Sequence, residues 1–318
     1  MFKYDVLCIG SATMDQFLTT KQELSKIHLG DKILVKHKEI HSGGGGTNTA
    51  AALSKLGLKV KLLTKLGNDQ DADLIAKEMK DYGVKLVSKK RSRKTTDSSI
   101  IMSSVHGKDR IVYVNKAASR ELSHLDYTKS QLKVKWIYMA SLVGKSLRTG
   151  RKIAEYAYEK KIPMLFNPSL YLAEQGLKNL KPLLKAAKIL ILNKEEAQAL
   201  TKSKRHQKEL LGIIQKSGPE IVIITDGPKK LYAANNDKAY WMMPPKVKVV
   251  QTLGAGDAFN SGFLAGIIKK YSFEDALRLG QVNSSSVIQY VGTKNKLLTE
   301  KEAKEAIKKH RIKVVLFS

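Results

Sequence analysis

Short apolar runs alternate along the chain with stretches whose apolar positions recur every three to four residues. Residues 4–10, 59–65, 135–139, 163–166, 189–192 and 221–225 predict strands, because each is a brief, largely apolar run. Residues 46–56 and 71–82 predict helices that end at Gly57 and Gly83, glycines placed where a helix C-terminus needs a left-handed residue. The repetition of strand and helix predicts an α/β fold, a mostly parallel central sheet with helices on both faces. Two segments break the rhythm. Residues 17–40 and 94–114 carry alternating or β-branched stretches with turn signals at Gly30-Asp31 and Gly107-Lys108-Asp109. They predict two hairpins that pair into a small antiparallel β lid or a contact between copies. The expected organisation is a core of residues 1–14, 41–93 and 115–318, with lid segments 15–40 and 94–114. After Pro244-Pro245, residues 247–250 predict one more strand, which leads into a glycine-rich turn and a helix over 258–268.

Composition narrows the class. The chain has 318 residues, 42% hydrophobic and 27% charged, enough for a sizeable core and unlike a disordered chain. No apolar run reaches membrane-spanning length, and Asp5 with the short apolar run after it argues against a signal peptide. The single cysteine, Cys8, lies within a predicted strand and reads as a core residue. A cytoplasmic protein is expected. The charge changes the picture: 57 Lys+Arg against 29 Asp+Glu give +28, which raises the question of a nucleic-acid partner. The lysines are spread along the chain, and the densest patch, Lys89-Lys90-Arg91-Ser92-Arg93-Lys94, is short. A solvated basic surface is the expectation; a non-catalytic nucleic-acid-binding protein is the rival.

The chemistry concentrates at Thr252-Leu253-Gly254-Ala255-Gly256-Asp257. Glycines at a strand-to-helix turn let a ligand approach the backbone. The amides of Gly254, Ala255 and Gly256 then open a helix N-terminus, an anion hole suited to a moving phosphoryl group. Asp257 falls in the first helical turn, either as a base or as a carboxylate favoured there by the dipole. Asp15 follows the first strand, at a carboxyl end, where open α/β sheets bind ligands. Gly43 to Gly46 serve close approach to a ligand or a hinge. Asn48 caps the next helix or touches substrate. Asn193 and Glu196 share a face three residues apart, as a capping box or as polar ligands. Gly144-Lys145-Ser146 is no P-loop, because Met139 stands where the first glycine belongs. His37 and His41 have no third metal ligand nearby.

In chain order these segments resemble the ribokinase-like (PfkB) carbohydrate kinases. Thr252 to Asp257 is similar to the family's C-terminal signature, Ser42 to Ala50 to its N-terminal one, and Gly10 to Asp15 to its first strand and sugar-binding aspartate. Asn193-Lys194-Glu195-Glu196 resembles its Asn-x-x-Glu motif, and Thr225-Asp226-Gly227 its nucleotide loop; Asn283 lies where an adenine-side asparagine is usual. The resemblance implies phosphoryl transfer from ATP with Mg²⁺ to a hydroxyl of a sugar, sugar derivative or nucleoside. Asp257 would take the hydroxyl proton, Asp15, Gly43, Gly44 and Asn48 would orient the acceptor, Asn193, Thr225, Gly227 and Asn283 would hold nucleotide, and Glu196 would organise the metal. The chain departs from the pattern at Gln251, where relatives often carry an aspartate beside a monovalent cation, so such a cation is expected to bind less well. Ala117 and Ala118 replace a frequent glycine, and Gly45 replaces the lysine of ribose-specific members.

Overall fold

The structure is a computed structural model that describes residues 2–106, 110–236 and 238–317. Fourteen strands and ten α-helices are present among them: β1 Val6–Ile9, β2 Thr13–Thr20, β3 Val35–Gly43, α1 Gly45–Lys55, β4 Val60–Leu63, α2 Gln70–Asp81, β5 Lys85–Leu86, β6 Asp97–Ser104 and β7 Arg110–Asn115; then β8 Trp136–Ala140, α3 Lys145–Glu159, β9 Met164–Asn167, α4 Leu170–Ala173, α5 Gly176–Ala186, β10 Ala187–Asn193, α6 Lys194–Thr201 and α7 Gln207–Gln215; and finally β11 Ile221–Thr225, β12 Leu231–Asn235, β13 Lys238–Met242, α8 Ala255–Ile268, α9 Phe273–Val287, α10 Glu300–His310 and β14 Val314–Phe317.

Ten strands form one sheet in the order β14-β13-β12-β11-β10-β9-β8-β1-β4-β5. From β11 to β5 all neighbours are parallel, while β12, β13 and β14 are antiparallel additions. Apart from the short edge strand β5, the parallel strands are largely buried on both faces, which is why they read as continuous apolar runs. One core cluster packs α1, α2, α8 and α9 against one face, around Leu53, Ile75, Phe263 and Leu277. A second packs α3, α5, α6 and α7 against the other, around Ile153, Leu184, Leu200 and Ile214. Every predicted strand but one is present.

That one is 247–250. This segment is irregular, and Val249 and Val250 are exposed. Its regular backbone bonds reduce to the N–H groups of Val250 and Gln251, both donating to the Ile288 carbonyl. With Pro244 and Pro245 upstream and no neighbouring strand to complete a ladder, the valines have nothing to pair with. The following helix begins at Ala255, three residues earlier than expected, because Gly254 takes a left-handed φ of 80° and turns the chain directly into it.

The two hairpins form a second sheet of four strands, β3-β2-β6-β7. Each hairpin is antiparallel, and they meet along a parallel seam between β2 and β6. The expected turn at Gly107-Lys108-Asp109 lies outside the described residues.

Candidate active site

The site lies where the carboxyl ends of the central strands meet three loops. The first runs from β1 into β2. Asp15 does follow β1, but it sits inside β2, in register with His41 on β3 and Ser99 on β6. Its buried carboxylate accepts hydrogen bonds from the hydroxyls of Thr13, at 2.9 Å, and Ser99, at 2.6 Å. Gly43 ends β3 directly against it: a Cβ there would lie 1.9 Å from Asp15 Oδ2, so only glycine leaves that oxygen its place.

The second loop is Gly43-Gly44 leading into α1. Gly44 caps the helix, and Asn48 is not the cap. The Asn48 side chain instead crosses to the third loop, where Nδ2 donates to Asp257 Oδ2 at 2.8 Å. Its Oδ1 accepts from Thr293 Oγ1 at 2.7 Å and from Lys294 Nζ at 3.3 Å. The N-terminal and C-terminal glycine segments, 209 residues apart, are thus joined side chain to side chain.

The third loop is the turn before α8. Asp257 stands in its first turn, as expected. Among the described residues the N–H groups of Gly254 and Gly256 donate to no protein acceptor, whereas the Ala255 N–H already donates to the Thr252 carbonyl at 3.3 Å. The anion hole expected of three amides is therefore open at Gly254 and Gly256 and partly occupied at Ala255. A Cβ on Gly254 would meet Thr293 Cβ at 2.8 Å, so the segment after α9 packs tightly under the turn. Gln251 fastens that segment, its Oε1 accepting from Gly292 N–H at 2.9 Å. Burial lifts the Asp257 carboxyl above the usual carboxylate range; the Asn48 hydrogen bond and Lys294 oppose the rise, and Asp15 adds to it.

Two further groups flank this centre. At the ends of β10 and β11, Asn193 and Thr225 are register partners. Asn193 and Glu196 form the capping box of α6, with reciprocal bonds of 2.8 Å. Burial, offset by the Asn193 N–H and reinforced by Glu195 and Asp257, pushes the Glu196 carboxyl up to about 7. A hydrated divalent cation held chiefly by phosphates would draw the Glu196 carboxyl back to its ionised form; no cluster of three metal-ligating side chains occurs among the described residues. Gly227 turns with φ 54° beside open space.

Asn283 is not brought to the site. It is wholly buried between helices, with Nδ2 donating to the Ala258 carbonyl at 2.8 Å and Oδ1 accepting from Leu298 N–H at 3.3 Å. One end of the amide ties α9 to α8 and the other ties it to the loop before α10, so both ends are taken by protein partners. Sequence reasoning in turn missed Thr293, Lys294 and Arg110 of β7, whose Nη1 donates to Thr252 Oγ1 at 2.9 Å. Nothing in the pattern around Thr293-Lys294-Asn295-Lys296 separates them from solvated lysine-rich loop.

The family model described as "pfkB family carbohydrate kinase" matches residues 3–312. An uncharacterized sugar kinase of Archaeoglobus fulgidus is 26% identical over 246 residues, 77% of this chain and 97% of that protein. The ribokinase of Haemophilus influenzae is 24% identical over 282 residues, 87% of this chain and 90% of its own length. Among solved structures, a nucleoside kinase of Methanocaldococcus jannaschii superposes with a TM-score of 0.81 at 20% identity, covering 97% and 99% of the two chains. The Arabidopsis thaliana ribokinase, solved with ribose and ATP, gives 0.82 at 20% identity, covering 96% and 99%. No helix among the described residues is long and apolar enough to cross a membrane.

Proposed function

Since the chain belongs to the pfkB family of carbohydrate kinases, and is thus a phosphotransferase with an alcohol group of a sugar or sugar derivative as acceptor, we propose that Asp257 is the base of the reaction and that ATP is the phosphoryl donor. The observation that carries the assignment is the Asn48–Asp257 bond of 2.8 Å. It engages Oδ2 of the carboxylate and leaves Oδ1, the oxygen beside Gly45, to receive the acceptor's hydroxyl proton. The free amides of Gly254 and Gly256 at the α8 N-terminus face the charge that builds on the phosphoryl group. Asp15, held by Thr13 and Ser99, and the bare backbone at Gly43 and Gly44 orient the acceptor. The remaining contribution is positioning, as in other phosphoryl transfers, where little covalent chemistry falls to the protein.

Asn193, Thr225 and Gly227 line the nucleotide side. Glu196 would hold Mg²⁺ through water, and the ion would neutralise phosphate charge. The four-stranded sheet acts as the lid, and we place a contact between two copies of the chain on the same sheet, where β7 is exposed along its length. The cytoplasm is the compartment this reading requires for its ATP. The test is coupled ATP turnover against a panel of pentoses, hexoses, their phosphates and nucleosides. Acceptor-dependent ADP release is expected with at least one class. No turnover with any of them, together with tight and steeply salt-dependent nucleic-acid binding, would transfer the case to the binding-protein reading.

A further inference from the structure

Lys294 is the one lysine among the site residues, and it is nearly inaccessible, with its side chain only 5% exposed. It lies in the loop after α9, two residues beyond the Gly292 that Gln251 fastens. Most lysines of this chain reach solvent; this one turns inward. Its ammonium donates to the Ser42 carbonyl and to Asn48 Oδ1, and lies 3.7 Å from Glu78 of α2. An amide reads as Asn in either orientation, and its neighbours decide which end faces where. Here Lys294 Nζ, which can only donate, meets one end of the Asn48 side chain beside Thr293 Oγ1. That end must be the oxygen. The other end, the NH₂, is then the one that meets Asp257.

We propose that Lys294 is a positioning residue for the base: its ammonium locks the Asn48 amide with the NH₂ toward Asp257, and it places a cation among the carboxylates gathered around that base. The proposal deepens the kinase reading, because it takes Asp257 as the base. The groups facing the pair come from every packed element: Glu78 from α2, Asp15 from β2, Glu196 from α6 and Tyr138 from β8, along with Asn48 and Thr293. Burial pulls the Lys294 ammonium below its usual range, while Glu78, Asp15 and Asp257 act to keep it charged. Without the cation, three carboxylates would be left close together in a poorly solvated site. A nearby opposite charge typically lowers a carboxyl pKa by one to about three units, so its removal should raise Asp257 by about one.

The test reads Asp257 directly. In the full-length protein with ¹³C-labelled aspartate, the Asp257 carboxyl resonance is assigned by its loss in Asp257→Asn. It is then titrated in wild type, Lys294→Met and Lys294→Gln. Lys294→Gln keeps a donor for Asn48 without the charge, and it serves if the methionine variant does not fold. The expected result is a midpoint about one pH unit higher in either variant, accompanied by a matching upward move of the acid limb of kcat and by recovery of activity at high pH. An unmoved midpoint in a folded variant, or a loss of activity uniform across pH, would overturn the proposal and leave Lys294 a packing residue. Absence of kinase turnover in the wild type would defeat the kinase reading while leaving the carboxyl titration to decide this one.

Discussion

From about pH 5 to about pH 8 the folded protein should lose stability as Glu196 gives up its proton, and Glu196→Gln should abolish most of that loss. The folded carboxyl titrates near 7, against 4.5 for the free side chain. Between those values the folded chain holds a proton that the unfolded chain has released. Stability from this group is therefore fully present below the unfolded value and falls as pH rises toward the folded one. Each unit is worth 1.36 kcal/mol, so the full gap corresponds to about 3 kcal/mol. Water still reaches the partly exposed carboxyl, which trims the effect to about 2 kcal/mol. In a chain of this length that is a melting shift of about 3 °C. Glutamine mimics the protonated side chain, and its amide oxygen can still accept from Asn193 N–H, so the cap survives. The assay is chemical denaturation of both proteins across that range without metal. Parallel curves, with glutamine lowering stability equally at every pH, would show that Glu196 acts only as a cap and remains ionised.

Three other perturbations bear on the active site. Asp257→Asn should lower kcat by about 10²–10⁴-fold with the fold and ATP affinity retained; near-wild-type turnover in the purified variant removes Asp257 from the base role. Arg110→Ala should free the lid from the glycine turn by deleting its bond to Thr252; acceptor KM should rise severalfold with kcat little changed, and an unaltered KM would mean the contact does not hold the lid. Potassium should activate the wild type weakly and Gln251→Asp more strongly, compared with a bulky organic cation at equal ionic strength, because the carboxylate keeps an acceptor for Gly292 N–H and adds a charge. Strong activation of the wild type, unchanged by the substitution, would show that position 251 does not set the ion dependence.

The alternation of apolar runs and amphipathic stretches made the parallel sheet legible, because strands buried on both faces can hardly be anything but apolar. The glycine turn and Asp257 were legible for a similar reason: backbone chemistry at a helix N-terminus leaves a local imprint. What escaped was set by distant partners. The parallel seam between β2 and β6 joins segments about 80 residues apart, and neither strand announces which edge it offers. Residues 247–250 have the composition of a strand but no neighbour. Asn283 looks like a ligand-facing amide, yet its ends are taken by the Ala258 carbonyl of α8 and the Leu298 N–H of the loop before α10. Lys294 is hidden by composition: among 57 basic residues, a buried one has no local mark.

Asp15 belongs to β2, and β2 belongs to the small sheet, not to the core that carries Asp257. On the proposed roles, one handhold for the acceptor is mounted on the small sheet and the proton-accepting group on the core. Were that sheet to move as a lid, recognition and chemistry would be assembled by the same motion. ATP reaching the site before the acceptor would then meet a base whose partner carboxylate is out of position, and its phosphoryl group would have no alcohol presented to it. Idle hydrolysis would be restrained by geometry, with no separate gate required.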